Sequence, residues 1–369
     1  MRKLVTILAA AVYVLVLGEG FVRIFAPEPI VPRYVTAADY GVRMNIPGAR
    51  YQHFTPDATV EYRINEAGFR ADQEYSVQKP ADACRVLMLG DSFMVGYEVE
   101  LEDSIPHRVQ SLLADAGMDC EVINMGVSGF GTAEMLVALE HSGLDYSPDI
   151  VVFQWHGTDF QDNVRADLYR LSEDELHQTA DAYLPAVNLR KALMMLPLYP
   201  FVIQHSQLYS ALRETAALRV KAALAQLRAP GKSAPEAAES EASAADVPAE
   251  ATAPYAVRLA ARLLERAKEL ANANGAQFYL LDIPYKTSTG GARSTLRRFD
   301  RQALDGLAVV TTEQALNRHA AEGAQLYYEN GHGHFTPLGY SIVAQEMASA
   351  ILRMRRGGTG GQQSARSER

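Results

Sequence analysis

Over residues 85–154 short apolar, β-rich runs alternate with helix-length stretches, and few folds accept that rhythm. Arg85-Val86-Leu87-Met88-Leu89 is followed by a helical stretch near 105–117, then by Glu121-Val122-Ile123-Asn124-Met125. A second helical stretch near 132–143 leads to a third apolar run at 149–154. Strands that are apolar throughout, rather than alternating, need cover on both faces, which the crossover helices of a parallel sheet provide. The rhythm resumes with a helix over 255–273, strands at 277–282 and near 307–310, and a last helix near 341–354. The fold class is therefore α/β, with helices on both sides of a parallel sheet.

The surrounding segments have other characters. Residues 1–25 open on Arg2-Lys3 and continue as an uncharged apolar block over 4–17. A basic start before such a block reads as a signal anchor or a signal peptide, with the remainder of the chain outside the cytoplasm. The expected location is the inner membrane, single-pass, with the domain in the periplasm; secretion after cleavage is the alternative. Residues 26–59 read as an extended lead, at the start of a stretch to residue 80 that is rich in Pro, Tyr and Asp with little periodicity. Val60-Glu61-Tyr62-Arg63-Ile64-Asn65 alternates like a strand and ends in a turn at Gly68.

Residues 164–228 read as a helical insertion. Its apolar part, 192–203, can pack on the core, wall an acyl site or touch a membrane. Residues 229–254 are low-complexity Ala/Glu/Ser/Pro and read as a disordered loop, and 355–369 as a disordered tail. Residues 60–354 are expected to close as one domain.

The net charge of −9, without a long Lys/Arg run, disfavours nucleic acid as a partner. Two cysteines exclude a disulfide-framework miniprotein. Cys84 and Cys120 each stand just before a strand, so an oxidising compartment permits a bridge between them; two unrelated half-buried thiols are the alternative. His332 and His334 lie two apart, but no third ligand is spaced for a metal, and no metal or cofactor is expected.

Chemistry concentrates in three places. Val86-Leu87-Met88-Leu89-Gly90-Asp91-Ser92-Phe93 runs from a buried strand through a glycine turn and presents Ser92 where a helix starts. That is the carboxyl edge of the sheet, where open α/β sheets place ligands. Asn124-Met125-Gly126-Val127-Ser128-Gly129 ends the second strand, and His334-Phe335-Thr336-Pro337-Leu338-Gly339 precedes the last helix.

This ordered set of blocks resembles the SGNH (GDSL-type) hydrolase superfamily. It is similar in particular to bacterial membrane-anchored members with an Ile-Asn-x-x-Gly-Phe-Arg element, here Ile64 to Arg70. The resemblance covers roughly 60–165 and 275–352. It implies a flavodoxin-like three-layer α/β/α sandwich with about five parallel strands in the order 2-1-3-4-5. It also implies Ser92 as nucleophile and His334 as base, with the Ser92 backbone N–H and Gly129 as oxyanion donors. An imidazole titrates in the range needed to take a serine proton, and fixed donors stabilise the tetrahedral oxyanion.

Two family positions are altered. The oxyanion asparagine of the third block is Thr158, in Trp155-His156-Gly157-Thr158-Asp159, with Asn163 as a distant substitute. The acid that stands two or three residues before the histidine is replaced by His332 and Gly331. Three arrangements remain open: a shifted Glu329/His332 pair, Asn330 or Glu329 orienting His334, or a Ser–His dyad steadied by a backbone carbonyl.

The expected activity is that of a serine esterase or O-acyltransferase. Its expected substrate is a small-molecule or polysaccharide ester, acetylated carbohydrate first and a lipid or long-chain ester second. A silent domain that binds polysaccharide or scaffolds an envelope assembly is the rival reading.

Overall fold

A computed structural model describes residues 2–25, 35–81, 83–179, 195–212, 254–330 and 333–366. The chain begins with helix α1 (Arg2–Phe25) and two small hairpins, β1 (Val35–Ala37) with β2 (Arg43–Asn45) and β3 (Arg50–Phe54) with β4 (Thr59–Arg63). The core follows as β5 (Cys84–Leu89), α2 (Ser92–Val95), α3 (Ile105–Asp115), β6 (Cys120–Asn124), α4 (Thr132–His141), β7 (Ile150–His156) and α5 (Asp159–Ala166). A third hairpin, β8 (Tyr169–Ser172) with β9 (Glu175–Gln178), and helix α6 (Tyr199–His205) come next. The chain closes with α7 (Pro254–Ala273), β10 (Gln277–Ile283), the short pair β11 (Tyr285–Lys286) and β12 (Ala292–Arg293), β13 (Ala308–Val310), α8 (Glu313–Ala321) and α9 (Pro337–Arg366).

The five core strands form one parallel sheet in the order β13-β10-β7-β5-β6. Numbering those five strands along the chain gives 2-1-3-4-5, as expected. β7 is buried at all seven positions and β5 at five of six, so the apolar runs are apolar because both faces are covered. One face packs on α4, α5 and α7 through Leu136, Leu139, Phe160, Leu259, Leu263 and Leu280. The other packs on α3, α8 and α9 through Val86, Val109, Leu113, Leu316, Val343 and Met347. Cys84 and Cys120 stand opposite each other in the β5–β6 register, with Cα atoms 4.4 Å apart, and form a disulfide.

Several expectations are corrected. The lead of 26–59 is not simply extended: its described part, from residue 35, is folded into hairpins. Arg43 and Asn45 of β2 reach the β6–α4 loop. Part of the expected helical insertion is the β8–β9 hairpin. Its two-residue turn places Glu173 and Asp174 at φ of 52° and 63°, a conformation usually signalled by Gly or Asn, so the sequence gives no warning of it.

Residues 195–212 dock on α1, where Glu19 accepts bonds from Ser206 Oγ at 2.7 Å and from the Gln207 and Leu208 amides at 3.0 Å each. Arg23 donates to the His205 carbonyl at 2.6 Å. The tail beyond 354, expected to be disordered, continues α9 as far as Arg366. Each glycine there costs about 1 kcal/mol, but the nucleus already exists and each added residue gains a backbone hydrogen bond. The low-complexity loop lies outside the described residues, apart from Pro254 at the start of α7. The N-terminal helix forms over Arg2–Phe25, yet among the described residues no helix is long and apolar enough to cross a membrane.

Candidate active site

Ser92 stands at the start of α2, directly beyond the carboxyl end of β5, which lies between β7 and the edge strand β6. Asp91 is the N-cap of α2: its carboxylate accepts from the Phe93 amide at 2.8 Å and from Gln154 Nε2 at 2.5 Å. Gln154 comes from β7, so two neighbouring strands together fix the turn that carries Ser92. Gly90 is required there, because a Cβ would lie 2.4 Å from Gln154 Oε1 and 2.5 Å from Met94 Cβ. Ser92 is half-buried and open to a substrate.

His334 reaches the same point from the loop before α9. Its Nε2 lies 2.8 Å from Ser92 Oγ. The imidazole is buried, packed against the rings of Phe93 and Tyr97 with centroids 4.8 Å from each. Its Nδ1 faces Glu98 Oε2 at 3.1 Å. Glu98 is fully buried. A carboxylate withdrawn from water beside an imidazole holds the ring's orientation and stabilises the imidazolium that forms when the serine proton is taken.

Glu98 thus takes the position of a triad acid beside His334, and the sequence reading missed it. It sits on the turn after α2, not near the histidine, because Gly96 at φ 78° folds the chain back beneath the ring. Neither Glu329 nor Asn330 orients His334, and its Nδ1 faces a carboxylate rather than a backbone carbonyl. Glu329 is exposed, and Asn330 donates from its amide and its Nδ2 to the Asp57 carboxylate at 2.9 Å each. His332 lies outside the described residues. The one available signal is a lone acidic residue in Met94-Val95-Gly96-Tyr97-Glu98-Val99, which is otherwise nonionic.

Gly129 lies on the loop between β6 and α4 at φ 80°, with its carbonyl accepting from Arg43 Nη2. Arg43 is itself paired with the buried carboxylate of Glu134 at 2.7 Å, and Glu134 also accepts from the Gly131 amide at 3.1 Å. The loop expected to supply an oxyanion donor is thus braced from β2.

Thr158 stands at the N-cap of α5, just past the end of β7, with Oγ1 3.0 Å from His156 Nδ1. Burial, with the nearby His334, pulls the pKa of His156 down to about 3, so this second imidazole stays neutral at ordinary pH. Asn163 is turned elsewhere: its Oδ1 accepts from the Ala133 amide at 2.9 Å at the start of α4. Asp159 accepts from Thr132 Oγ1 at 2.9 Å, and its complete burial pushes its pKa well above its ordinary value. Among the described residues no group of three or more His, Cys, Asp or Glu side chains could hold a metal ion.

A nucleophile, a base and a buried acid in one hydrogen-bonded line at the carboxyl edge of a 2-1-3-4-5 sheet fit the block pattern. The resemblance to SGNH hydrolases is borne out. No family model matches the chain. A curated arylesterase from Vibrio mimicus is 33% identical over 75 residues, which span 20% of this chain and 38% of that protein. Solved structures similar to this chain include a lipase/acylhydrolase from Enterococcus faecalis, with TM-score 0.37 and 16% identity, covering 73% of this chain and 95% of that one. An acetyl xylan esterase aligns with TM-score 0.38 and 12% identity, covering 72% of this chain and 99% of its own. The carboxylate beside His334 thus comes from the turn after Ser92, not from the two or three positions before the histidine where the resemblance expected it.

Proposed function

We propose that this chain is a serine esterase that works through an acyl-Ser92 intermediate. The observation that carries the reading is the continuous line Ser92 Oγ, His334 Nε2, His334 Nδ1, Glu98 Oε2, with separations of 2.8 and 3.1 Å. Ser92 Oγ attacks the ester carbonyl carbon as His334 Nε2 takes its proton. The negative oxygen of the tetrahedral adduct is held by the Ser92 and Gly129 amides, with the Thr158 hydroxyl as a third donor. Collapse breaks the bond to the alkoxy group, which leaves with the proton from His334. A water then repeats the sequence on the acyl-enzyme and releases the acid. A sugar hydroxyl in place of water makes the same chain an O-acyltransferase.

We assign the substrate as a short acyl ester of carbohydrate met outside the cytoplasm, with α1 as a membrane tether. The basic start and apolar block of residues 1–17 support that location. So does the Cys84–Cys120 bridge, because disulfides persist in oxidising compartments. The side chains from Val12 to Leu17 and at Phe21, Ile24 and Phe25 are all more than half exposed along α1, as a lipid-facing helix requires.

A fluorophosphonate probe tests the chemistry: wild type labels, Ser92→Ala does not, and absence of Ser92-dependent labelling in folded protein overturns the reading. Hydrolysis of acetylated oligosaccharides against nitrophenyl esters of increasing chain length, with and without a sugar acceptor, then fixes the substrate. Faster turnover of octanoyl than acetyl esters would favour the lipid reading, in which the exposed Met195, Leu198 and Phe201 take part. Fractionation of full-length and α1-deleted protein tests the tether.

A further inference from the structure

The turn that carries Glu98 is held from within through its amides, with Val95 N–H donating to the Asp91 carbonyl, Gly96 and Tyr97 N–H to that of Ser92, and Val99 N–H to that of Gly96 at 3.4 Å. Residues 95–99 run from the last residue of a four-residue helix and contain a left-handed glycine. Their carbonyls are instead bound by side chains brought from elsewhere. Arg70 Nη1 donates to the Val95 carbonyl at 2.8 Å and to that of Gly96, and Arg70 Nη2 donates to Val99 at 2.6 Å. The Tyr62 hydroxyl reaches the Tyr97 carbonyl at 2.9 Å and the Gly96 carbonyl at 3.3 Å, and the Tyr328 hydroxyl reaches that of Glu98 at 3.3 Å. All five carbonyls of the turn accept from a side chain, three of them from one guanidinium.

Arg70 is only 1% exposed, and its guanidinium lies 4.0 Å over the Tyr62 ring. A buried arginine that is not spent on a carboxylate is expensive, and its planar fork suits several carbonyls in fixed directions. The sequence delivers it by a tight turn. Asn65 Oδ1 accepts from the Ala67 and Phe69 amides at 3.1 and 2.9 Å, Gly68 takes φ 84°, and Ile64 bridges Arg70 across the turn. The side chain after Phe69 is thereby aimed under the turn that holds the acid.

We propose that Arg70 is the positioning residue of the triad acid, holding the 95–99 turn so that Glu98 meets His334. This rests on the esterase reading above. Arg70 touches no reacting atom, so its influence on the chemistry passes through Glu98. A misplacement of about 1 Å in a catalytic group costs about 10²-fold in rate.

The test is a double-mutant cycle read by the rate of fluorophosphonate labelling at Ser92, with thermal midpoints measured alongside. Arg70→Met should slow labelling about 10²-fold, and Arg70→Lys should recover part of it, since a cation remains but the fork is lost. In a Glu98→Ala background the same Arg70→Met change should alter labelling by less than about two-fold, because the group it positions is gone. Equal slowing in both backgrounds, or unchanged labelling in folded Arg70→Met, overturns the proposal. If Arg70→Met does not fold, Arg70→Lys and Tyr62→Phe carry the same cycle.

Should wild type fail to label, the low-field proton resonance of His334 Nδ1–H reads the contact without any reaction. It should be present in wild type and lost in Glu98→Ala and in Arg70→Met. Its absence from wild type, or its persistence in Arg70→Met, overturns the proposal independently of the esterase reading.

Discussion

Glu98 Oε2 lies 3.1 Å from His334 Nδ1, across 236 residues of sequence, and both side chains are buried. The acid therefore arrives with the nucleophile rather than with the base. One short stretch, Ser92 to Glu98, supplies two of the three triad members, and α9 has only to deliver the histidine.

Glu98→Ala should lower kcat for a simple acetyl ester by about 10³–10⁴-fold, as loss of a triad acid does elsewhere, while leaving Ser92-dependent activity above background. Glu98→Asp should fall between, because the shorter side chain keeps the charge but not the reach. Glu329→Ala should leave kcat unchanged. Steady-state kinetics on the three variants check this, and a wild-type kcat in Glu98→Ala would remove Glu98 from the triad.

The contrast between Glu98 and Ser92 shows which parts of the site were legible. Ser92, Gly129 and His334 sit in short strings whose meaning is local: a glycine turn after a buried strand, a left-handed glycine, a histidine before a helix. The parallel sheet was legible for the same reason, since apolar runs buried on both faces announce one, whereas its strand order came from the resemblance. Glu98 was not, because its burial depends on three side chains, Tyr62, Arg70 and Tyr328, that meet its turn only in the folded chain. The β8–β9 hairpin was hidden differently, by a turn whose positive φ values fall on Glu173 and Asp174.

Gly129 supports a sharper local prediction. At φ 80°, an added Cβ would stand 2.4 Å from Arg43 Nη1, so Gly129→Ala must shift either its own amide or the arginine that braces it. Loss of one oxyanion donor costs about 10²–10³-fold in kcat. Gly129→Ala should show a loss of that order with KM little changed, and Arg43→Met, which removes only the brace, a smaller one. An unaffected kcat in folded Gly129→Ala would take this amide out of the oxyanion site.

The Cys84–Cys120 bridge closes a separation of 36 residues that contains the nucleophile, α2 and the Glu98 turn. On chain-entropy grounds a loop of that size stabilises by about 4 kcal/mol. The Cys84→Ser/Cys120→Ser variant should therefore melt several degrees below wild type under oxidising conditions. Wild type treated with a reductant should approach the variant's midpoint. Calorimetry with and without reductant checks both statements, and coincident midpoints for oxidised wild type and variant would remove the bridge as a stabilising element.

Asp282, on β10, gives stability a pH dependence of its own. Burial pushes its pKa up to about 7 from 3.8. At low pH the carboxyl is protonated in both folded and unfolded chains and costs nothing of this kind. Between about pH 4 and 7 the folded chain keeps the proton that the unfolded chain has released, so stability falls as pH rises, at about 1.4 kcal/mol per unit. Above pH 7 both states are ionised and the penalty is constant. Asp282→Asn removes the titration while keeping the shape. It should raise the midpoint at pH 8 by at least about 3 °C relative to wild type, and change it much less at pH 4. Paired melts at the two values decide the matter, because a shift of equal size at both would assign the effect to packing rather than to the buried charge.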